Sequence, residues 1–401
     1  MQRKSNLPSL ADADWLNAPG LQKLMAAMAQ AGGEARVAGG AVRNTLLGLQ
    51  VADVDVATTL APQRVLKLAK SLGFSVHPTG IEHGTVTVVA KGKPYEVTTL
   101  RRDIETDGRR AVVAFTADWI EDAARRDFTI NAIYCDAAGQ LYDFNDGIGD
   151  LRKRLVRFVG KPSQRIAEDY LRILRFFRFH ARFGRGAPDA MGLKACTRLK
   201  AGLRKLSAER VRQEILKLLE APRAVPTLKL MAETGILKVV LPHTDQWREI
   251  SRLPEDGMLR LFVLARQPLE LKSTLKLSNA EAQRLQRLAD APLISLAFTS
   301  SEQRRLLYQL GVDTWRDAVR LSFARSRSAK GAKDWAAMLA LPEAWTLPTF
   351  PIKGGDLKGI GIAAGPGMGK TLQALEDWWL ASDFKPGKDE LLARARNLKG
   401  R

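Results

Sequence analysis

The positions of apolar residues along the chain separate a first part with mixed periodicities from a later part that is helical. Val51–Ala57 alternates apolar and acidic residues with the two-residue period of a strand. A helix is predicted at Pro62–Leu72, and short strands are predicted at Phe74–His77, Thr85–Ala90 and Tyr95–Thr99. This alternation predicts an α+β fold whose small sheet is mixed or largely antiparallel.

The later segments differ in pattern. Residues 101–124 are polar and charged at both ends, which predicts a long mobile loop with one short strand at Ala111–Phe115. From Ser163 onward the helical period prevails, and Ser207–Leu219 begins with a serine at the position of a helix cap. The expected organisation is a mixed first domain followed by three helical ones, at residues 1–150, 151–224, 225–345 and 346–401.

A glycine turn stands before the first acidic strand. Gly39 and Gly40 follow a short apolar run and open a predicted helix, Ala41–Leu47, which Gly48 ends. Backbone N–H groups at such a turn, with no side-chain bulk beside them, form an anion site suited to phosphate.

Two carboxylates then share one predicted strand face. Asp53 and Asp55 repel each other unless a cation lies between them, so the pattern favours a divalent metal site, with Mg²⁺ as the expected ion. Glu96 lies on a strand that could neighbour theirs, which makes it a candidate third acidic group. The alternative is a solvated strand edge that binds no metal.

The distribution of basic residues indicates which class of molecule the protein binds. The chain has 63 Lys and Arg residues against 43 Asp and Glu, and residues 151–230 alone hold 21 basic and 6 acidic residues. A field this concentrated favours a nucleic-acid backbone as partner, with Lys153, Arg154 and Lys370 as candidate contacts. A basic surface that only aids solubility is the alternative.

Other features exclude several classes of protein. The two cysteines have neither the spacing of zinc ligands nor that of a disulfide framework. The opening MQRKSNLPSL is too polar for a secretory signal, and the chain lacks an apolar run of about 18 residues that could span a membrane. We therefore expect a cytoplasmic protein without membrane partners.

Two charged pairs could recognise a nucleotide. Arg126 could reach phosphates while Asp127 accepts from sugar hydroxyls, although a surface ion pair would have the same spacing. Asp169 and Arg172, on one predicted helix face with Arg175 a turn further, could accept from an exocyclic amine and donate to the neighbouring ring nitrogen. Cytosine and adenine present an amine donor beside a ring-nitrogen acceptor on their base-pairing edge, and guanine and uracil present the reverse order. Such a pair would therefore select CTP and ATP. A salt-bridge lattice on a solvated helix is the alternative.

Three motifs, in a fixed order along the chain, favour the metal-binding and nucleotide-binding interpretations over solvated surface charges. GGAVRN with the following D-V-D-V-A-T-T, RRDFTINA at Arg125–Ala132, and EDYLRILRFFRF at Glu168–Phe179 together resemble the class II tRNA nucleotidyltransferases and bacterial poly(A) polymerases of the DNA polymerase β superfamily. Asn44 stands where that family usually has Asp. The resemblance implies a nucleotidyltransferase head followed by a helical neck, body and tail.

The resemblance also assigns roles. It implies two-metal nucleotidyl transfer with Mg²⁺ at Asp53 and Asp55, addition of C, C and A to tRNA ends, and tRNA, CTP and ATP as partners. The nucleotide-binding residues that it implies are Gly39, Gly40, Arg43, Arg126, Asp127, Asn131, Asp169, Arg172 and Arg175. It also links the predicted loop at 101–124 to addition of the third nucleotide, the A of CCA.

Four alternatives stay open. A poly(A) polymerase and a CC-only or A-only enzyme would share the fold, whereas an RNA-binding protein without catalysis would have no use for Asp53 and Asp55.

Ala364–Thr371, AGPGMGKT, nearly matches a P-loop, but its first glycine is missing and only a short segment follows it. We favour a glycine turn that caps a helix at Thr371–Leu380, with Lys370 free to meet a tRNA phosphate.

Overall fold

The computed structural model describes residues 7–107, 110–326 and 331–399. The chain divides into two compact units, residues 1–243 and 244–401. The finer division into four domains stays a prediction, and the first six residues of the polar opening segment lie outside the described residues. Among the described helices, none has both the length and the apolar character that crossing a membrane requires.

The first unit combines strands and helices. Its strands are β1 (Ala35–Ala38), β2 (Asp55–Thr58), β3 (Ser75–Gly80), β4 (Thr85–Ala90), β5 (Lys93–Thr99), β6 (Arg101–Asp107), β7 (Arg110–Phe115), β8 (Ile133–Cys135) and β9 (Leu141–Asp143). Its helices are α1 (Pro19–Gln30), α2 (Gly40–Leu46), α3 (Pro62–Ser71), α4 (Trp119–Ala124), α5 (Gly147–Arg152), α6 (Pro162–Glu168), α7 (Leu171–Phe183), α8 (Ala190–Leu199), α9 (Ala208–Leu219), α10 (Ala224–Glu233) and α11 (Leu237–Val240).

Seven strands form one sheet in the order β3-β4-β5-β2-β1-β8-β9. β2 pairs in parallel with β5, and the other neighbours run antiparallel. The predicted α+β fold with a mixed, largely antiparallel sheet is therefore confirmed. Strand β2 lies in the middle of the sheet and begins at Asp55, so the sheet itself fixes the position of that carboxylate.

Alternating burial explains the predicted strands. In β4, Val86, Val88 and Ala90 are buried while the residues between them are only partly so, as a strand with one core face requires. Helix α7 buries Phe176, Phe177, Phe179 and Phe183, so this aromatic stripe is part of the core. These rings pack on Phe128 and Phe158 of the sheet domain and attach α7 to it.

Within residues 101–124 the predicted strand at Ala111–Phe115 is confirmed as β7, but the rest differs from the predicted long loop. These residues form the antiparallel hairpin β6–β7 followed by α4, whose cap is Asp118 accepting from the N–H of Ile120 at 2.7 Å. Trp119 then inserts into a buried cluster with Leu100 and Tyr134. The polar composition hid this arrangement, because backbone pairing between two strands does not require a continuous apolar pattern; the hairpin tip, residues 108–109, lies outside the described residues.

The second unit is helical in the part of the chain that the structure describes. Its helices are α12 (Trp247–Arg252), α13 (Gly257–Leu264), α14 (Leu271–Thr274), α15 (Asn279–Asp290), α16 (Ser300–Arg325, broken at Gly311), α17 (Ala332–Ala344), α18 (Gly354–Gly359), α19 (Pro366–Ala381) and α20 (Lys388–Lys399). One buried cluster contains Trp315 and Trp335, and another contains Trp379.

The glycine-rich tail is part of a helix. The predicted helix at Thr371–Leu380 is confirmed, but it begins at Pro366, so Gly367, Gly369 and Lys370 lie in its first turns rather than in a loop. Proline at the first position and Gly365 at the cap account for this start. A P-loop holds its phosphates in a turn of backbone N–H groups that precedes its helix, and here most of that segment is already helical, which does not fit the P-loop alternative.

Candidate active site

A cavity of about 430 Å³ lies among β1, β2, α2, the segment after α4, the junction between α6 and α7, and helices α7 and α9. Its lining joins one carboxylate at the sheet to a wall of guanidinium groups. The lining residues are Ala38, Gly39, Gly40, Arg43, Asp55, Arg125, Arg126, Asp127, Asn131, Asp169, Leu171, Arg172, Arg175, Phe179 and Arg210. The nucleotide-binding residues expected from the sequence all line this cavity.

Asp55 is the acidic residue of the sheet that reaches this cavity. It lies directly across from Glu96 in the parallel pairing of β2 and β5, as the sequence predicted for neighbouring strands. Although Asp55 as a residue is exposed, partial loss of water around its carboxyl raises its pKa to about 6. Glu96 and Asp53 raise it further, and Arg126 acts in the opposite direction.

Asp53 corrects one prediction. Strand β2 begins only at Asp55, so Asp53 precedes the strand instead of sharing a strand face with Asp55. Both are exposed, and Asp53 is close enough to contribute to the raised pKa of Asp55. The pair is adjacent in space, but the connecting segment, not the pleat of a strand, sets its geometry.

A second cavity of about 200 Å³ adjoins the first and shares Ala38, Asp55, Arg125 and Arg126 with it. Glu96 lines this second cavity. Asp55, with Glu96 and Asp53 beside it, provides carboxylate oxygens that are chemically suited to a divalent cation, since oxygen ligands are what Mg²⁺ prefers. Within the described residues, however, no three His, Cys, Asp or Glu side chains are grouped closely enough to hold a metal ion as they stand.

Asp122 is a residue that the motif analysis missed. Its side chain is 1% exposed and accepts from Arg125 Nη2 at 2.6 Å and from Arg126 Nη2 at 3.2 Å. The hydroxyl of Tyr134 donates to it at 2.8 Å. Burial alone would raise the pKa of Asp122, but the two guanidinium groups and the tyrosine hold it below its usual range. The spacing D-x-x-R-R on a helix was the available signal.

Asp127 is fully engaged within the protein. Its Oδ2 accepts from Arg175 Nε at 2.8 Å and Nη2 at 2.5 Å, and its Oδ1 accepts from Asn131 Nδ2 at 3.0 Å and from the N–H of Phe128 at 2.8 Å. Burial would raise the pKa of Asp127, but these contacts lower it. Four donors occupy the acceptor positions of this carboxylate, so a sugar hydroxyl would have to replace one of them.

Asp169 and Arg172 line the cavity together but do not share a helix. Helix α6 ends at Glu168 and α7 begins at Leu171, with Asp169 extended between them. The Asp169 carboxylate accepts from the N–H of Leu171 at 3.0 Å, a local bond that competes with helix continuation. It also accepts from Arg210 Nη2 at 2.6 Å. Arg172 donates to Glu168 at 2.6 Å.

Helix α9 contributes Arg210 to the cavity. The helix begins after Ser207 as predicted, but the serine hydroxyl makes no capping hydrogen bond and is buried without a partner. Arg210 sits one turn into the helix and reaches Asp169, so α9 braces the junction between α6 and α7.

Arg43 is held by neutral groups. Its Nη1 donates to Asn131 Oδ1 at 2.5 Å, and its Nη2 and Nε donate to Asn44 Oδ1 at 2.8 and 3.2 Å. The Phe183 ring faces the guanidinium carbon at 4.2 Å. Burial lowers the pKa of Arg43 to about 10; Asp127 acts in the opposite direction, and nearby arginines add to the lowering.

The candidate RNA contacts lie outside the cavity. Lys153 follows α5 and is exposed, and Arg154 beside it is half-buried with a φ of 53°. Lys370 is exposed on α19 in the second unit. Their role in RNA binding stays a prediction.

Two protein families match the chain. The family described as the poly A polymerase head domain matches residues 35–157, and that described as a probable RNA and SrmB-binding site of polymerase A matches residues 192–248. The first match contains Asp55, Arg125 and Arg126, and the second contains Arg210.

Similar proteins cover nearly the whole chain. The mitochondrial CCA tRNA nucleotidyltransferase 1 of Mus musculus is 34% identical over 93% of this chain and 89% of its own length. The CCA-adding enzyme of Limosilactobacillus fermentum is 32% identical over 90% of this chain and 93% of its own. The crystal structure of the Bacillus stearothermophilus CCA-adding enzyme in complex with CTP has 30% identity and a TM-score of 0.79, covering 95% of this chain and 98% of that one.

Proposed function

Since the chain belongs to the CCA tRNA nucleotidyltransferase family, we propose that it adds C, C and A in turn to the 3′ ends of tRNA, from CTP and ATP and without a nucleic-acid template. In each step the terminal 3′-hydroxyl oxygen forms a bond to the α-phosphorus of the nucleotide. The bond from that phosphorus to the β-phosphate oxygen breaks, pyrophosphate leaves, and the hydroxyl proton passes to solvent or base.

The acidic side of the site is suited to Mg²⁺. Asp53 and Asp55 would hold the ion, and Glu96 across the strand pair would add a third negative charge. The raised pKa of Asp55 supports this assignment, because a cation would stabilise the ionised carboxylate that burial, and then Glu96 and Asp53, disfavour. When bound, Mg²⁺ supplies charge stabilisation to the triphosphate and a lower pKa to the attacking hydroxyl.

The cationic side would hold the triphosphate and sugar. Gly39 and Gly40 leave room for phosphate beside Arg43, whose charge has no carboxylate partner in direct contact among the described residues. Arg126 is oriented by Asp122 toward the same cavity. Asp127 orients Arg175 and Asn131, and its proposed contact with the ribose requires the exchange of one of its four hydrogen bonds.

Base selection would use Asp169 and Arg172. A fixed carboxylate accepts from the amine of cytosine or adenine, and a guanidinium donates to the adjacent ring nitrogen. GTP and UTP would place donor against donor and acceptor against acceptor, which leaves buried polar groups unpaired. Arg210 and Glu168 fix the two side chains before any base arrives.

The observation that carries this proposal is that Asp55 and Arg43 line one cavity with the Asp169–Arg172 pair, which comes from a distant part of the chain. A binding protein without catalysis would not need an acidic group of raised pKa beside a nucleotide-sized, guanidinium-lined space. A poly(A) polymerase, a CC-only enzyme and an A-only enzyme would keep the same cavity, so the product distinguishes them.

The test uses three tRNA transcripts, ending at the discriminator base, at C and at CC. Each is incubated with Mg²⁺ and with each nucleotide triphosphate alone or CTP plus ATP, and the products are sequenced. We expect growth that stops at CCA. A stop at CC, addition of A to CC ends alone, or an open-ended A tail would reassign the member, and no extension at all would favour the binding protein.

A further inference from the structure

Six arginines line the main cavity, and five of them are ion-paired. The charge partners are Asp122 for Arg125 and Arg126, Glu168 for Arg172, Asp127 for Arg175, and Asp169 for Arg210. Arg43 differs from these five, because the described residues place no carboxylate within ion-pair distance of it. Asp127, which lines the same cavity, acts on the Arg43 charge only from beyond ion-pair distance. Arg43 is therefore the one of the six whose charge no described carboxylate contacts directly.

The neutral partner that holds Arg43 is Asn44. Its Oδ1 accepts from two nitrogens of the Arg43 guanidinium, and its Nδ2 donates to the backbone carbonyl of Gln50 at 2.9 Å. The amide must therefore accept on one side and donate on the other, which fixes its orientation. It also joins Arg43 to the segment that leads to Asp53 and Asp55.

A carboxylate at this position would change both contacts. It would neutralise the guanidinium, and it could not donate to the Gln50 carbonyl, so two oxygens would face each other. The Asn44 side chain has nearly the shape of an aspartate, but it leaves the guanidinium charged and donates to the Gln50 carbonyl. This is the position at which the chain departs from the pattern G-G-x-V-R-D.

We propose that Asn44 is a positioning residue that holds Arg43 as the arginine of the cavity that no described carboxylate contacts directly, and thereby sets the affinity for the triphosphate of CTP and ATP. The proposal rests on the proposed function, since it assumes that Arg43 meets the triphosphate. Asn44 itself touches no substrate; it acts through the guanidinium and the segment that it ties together.

The decisive variant is Asn44→Asp, compared with Gln50→Glu. The second variant adds the same charge nearby at an exposed side chain that makes no contact with Arg43. Affinities for CTP and for inorganic triphosphate are measured by calorimetry on the full chain. Cytidine is measured as a competitive inhibitor of CTP incorporation into tRNA.

For Asn44→Asp we expect CTP and inorganic triphosphate to bind about tenfold more weakly, the effect of losing one direct charge contact. Cytidine inhibition should stay within about twofold of the original, and kcat at saturating CTP should change less than KM. Gln50→Glu should match the original protein. A merely structural defect would weaken cytidine and CTP together and lower kcat, and that result would overturn the proposal.

Asn44→Ala provides a second test if the aspartate variant folds poorly. It leaves the Arg43 charge but removes its anchor, so CTP should bind about threefold more weakly with cytidine unchanged. Unchanged CTP affinity in Asn44→Ala, or equal affinities in Asn44→Asp and Gln50→Glu, would overturn the proposal. If the original chain neither binds CTP nor extends tRNA, the proposed function fails instead, so the two failures are distinguishable.

Discussion

Counter-charges decide what each residue of the cavity can do. Arginines with a carboxylate partner are held in place but partly neutralised, and they suit orientation and base recognition. Asp55 has the opposite environment, since Glu96 and Asp53 add to the cost of its charge and Arg126 only partly offsets it. A residue whose own charge is unfavourable in the folded protein indicates a site that another charge completes.

Replacement of Asp55 by Asn should therefore stabilise the protein without divalent cations. Because the pKa of Asp55 is raised to about 6 on folding, its ionised form costs stability above that pH, and this cost disappears as the pH falls toward the unfolded value. After a discount for exposure we expect about 1 kcal/mol at pH 7.5, or roughly 2–4 °C in Tm for the first unit. The measurement is thermal unfolding in EDTA.

Two conditions serve as controls for that effect. The difference in Tm between the two proteins should shrink at pH 4, where Asp55 is protonated in the folded state. Added Mg²⁺ should raise the Tm of the original protein and leave that of Asp55→Asn unchanged, since binding to the folded state alone is stabilising. Equal Mg²⁺ responses in both would contradict the assignment of Asp55 as a metal ligand.

Elements with a clear apolar period were predictable. The limits of β4 match the prediction, and α3 starts at the predicted proline and ends one residue earlier, because burial on one face imposes the period directly. The break between α6 and α7 was not predictable from periodicity, because it depends on the Asp169 carboxylate bonding a backbone N–H and on Arg210 arriving from α9. Such long-range partners leave no local pattern.

Arg210→Ala should test that brace. Without Arg210, the Asp169 carboxylate keeps only its backbone bond and is free to rotate, so the base-recognising pair loses its fixed geometry. We expect the ratio of kcat/KM for CTP over UTP to fall about tenfold. Lys217→Ala is the matched control, because it removes an exposed positive charge from the same helix. An unchanged ratio in Arg210→Ala would show that Asp169 is fixed by other groups.

At the scale of the whole molecule, the cavity residues and the candidate RNA contacts differ in where they lie and in how the sequence predicted them. The cavity residues, which come from segments between Ala38 and Arg210, lie in the first unit. The sequence motifs predicted that these residues form one site, because the functional groups in each motif suit a different part of the same nucleotide. The candidate RNA contacts rested on net charge, which specifies a kind of partner but not a geometry, and they occur in both units.

Salt should therefore separate the two kinds of binding. RNA-backbone contacts release counterions, so tRNA affinity should fall linearly on a log–log plot against KCl, and Lys153→Ala and Lys370→Ala should each reduce the slope by about one. CTP affinity should be unchanged in both variants, because neither side chain lines the cavity. Fluorescence anisotropy with labelled tRNA supplies the slopes, and Lys93→Ala, which removes an exposed charge from the sheet, is the control. A slope that is equal in all four proteins would mean that the tRNA backbone contacts other cations of this +20 chain.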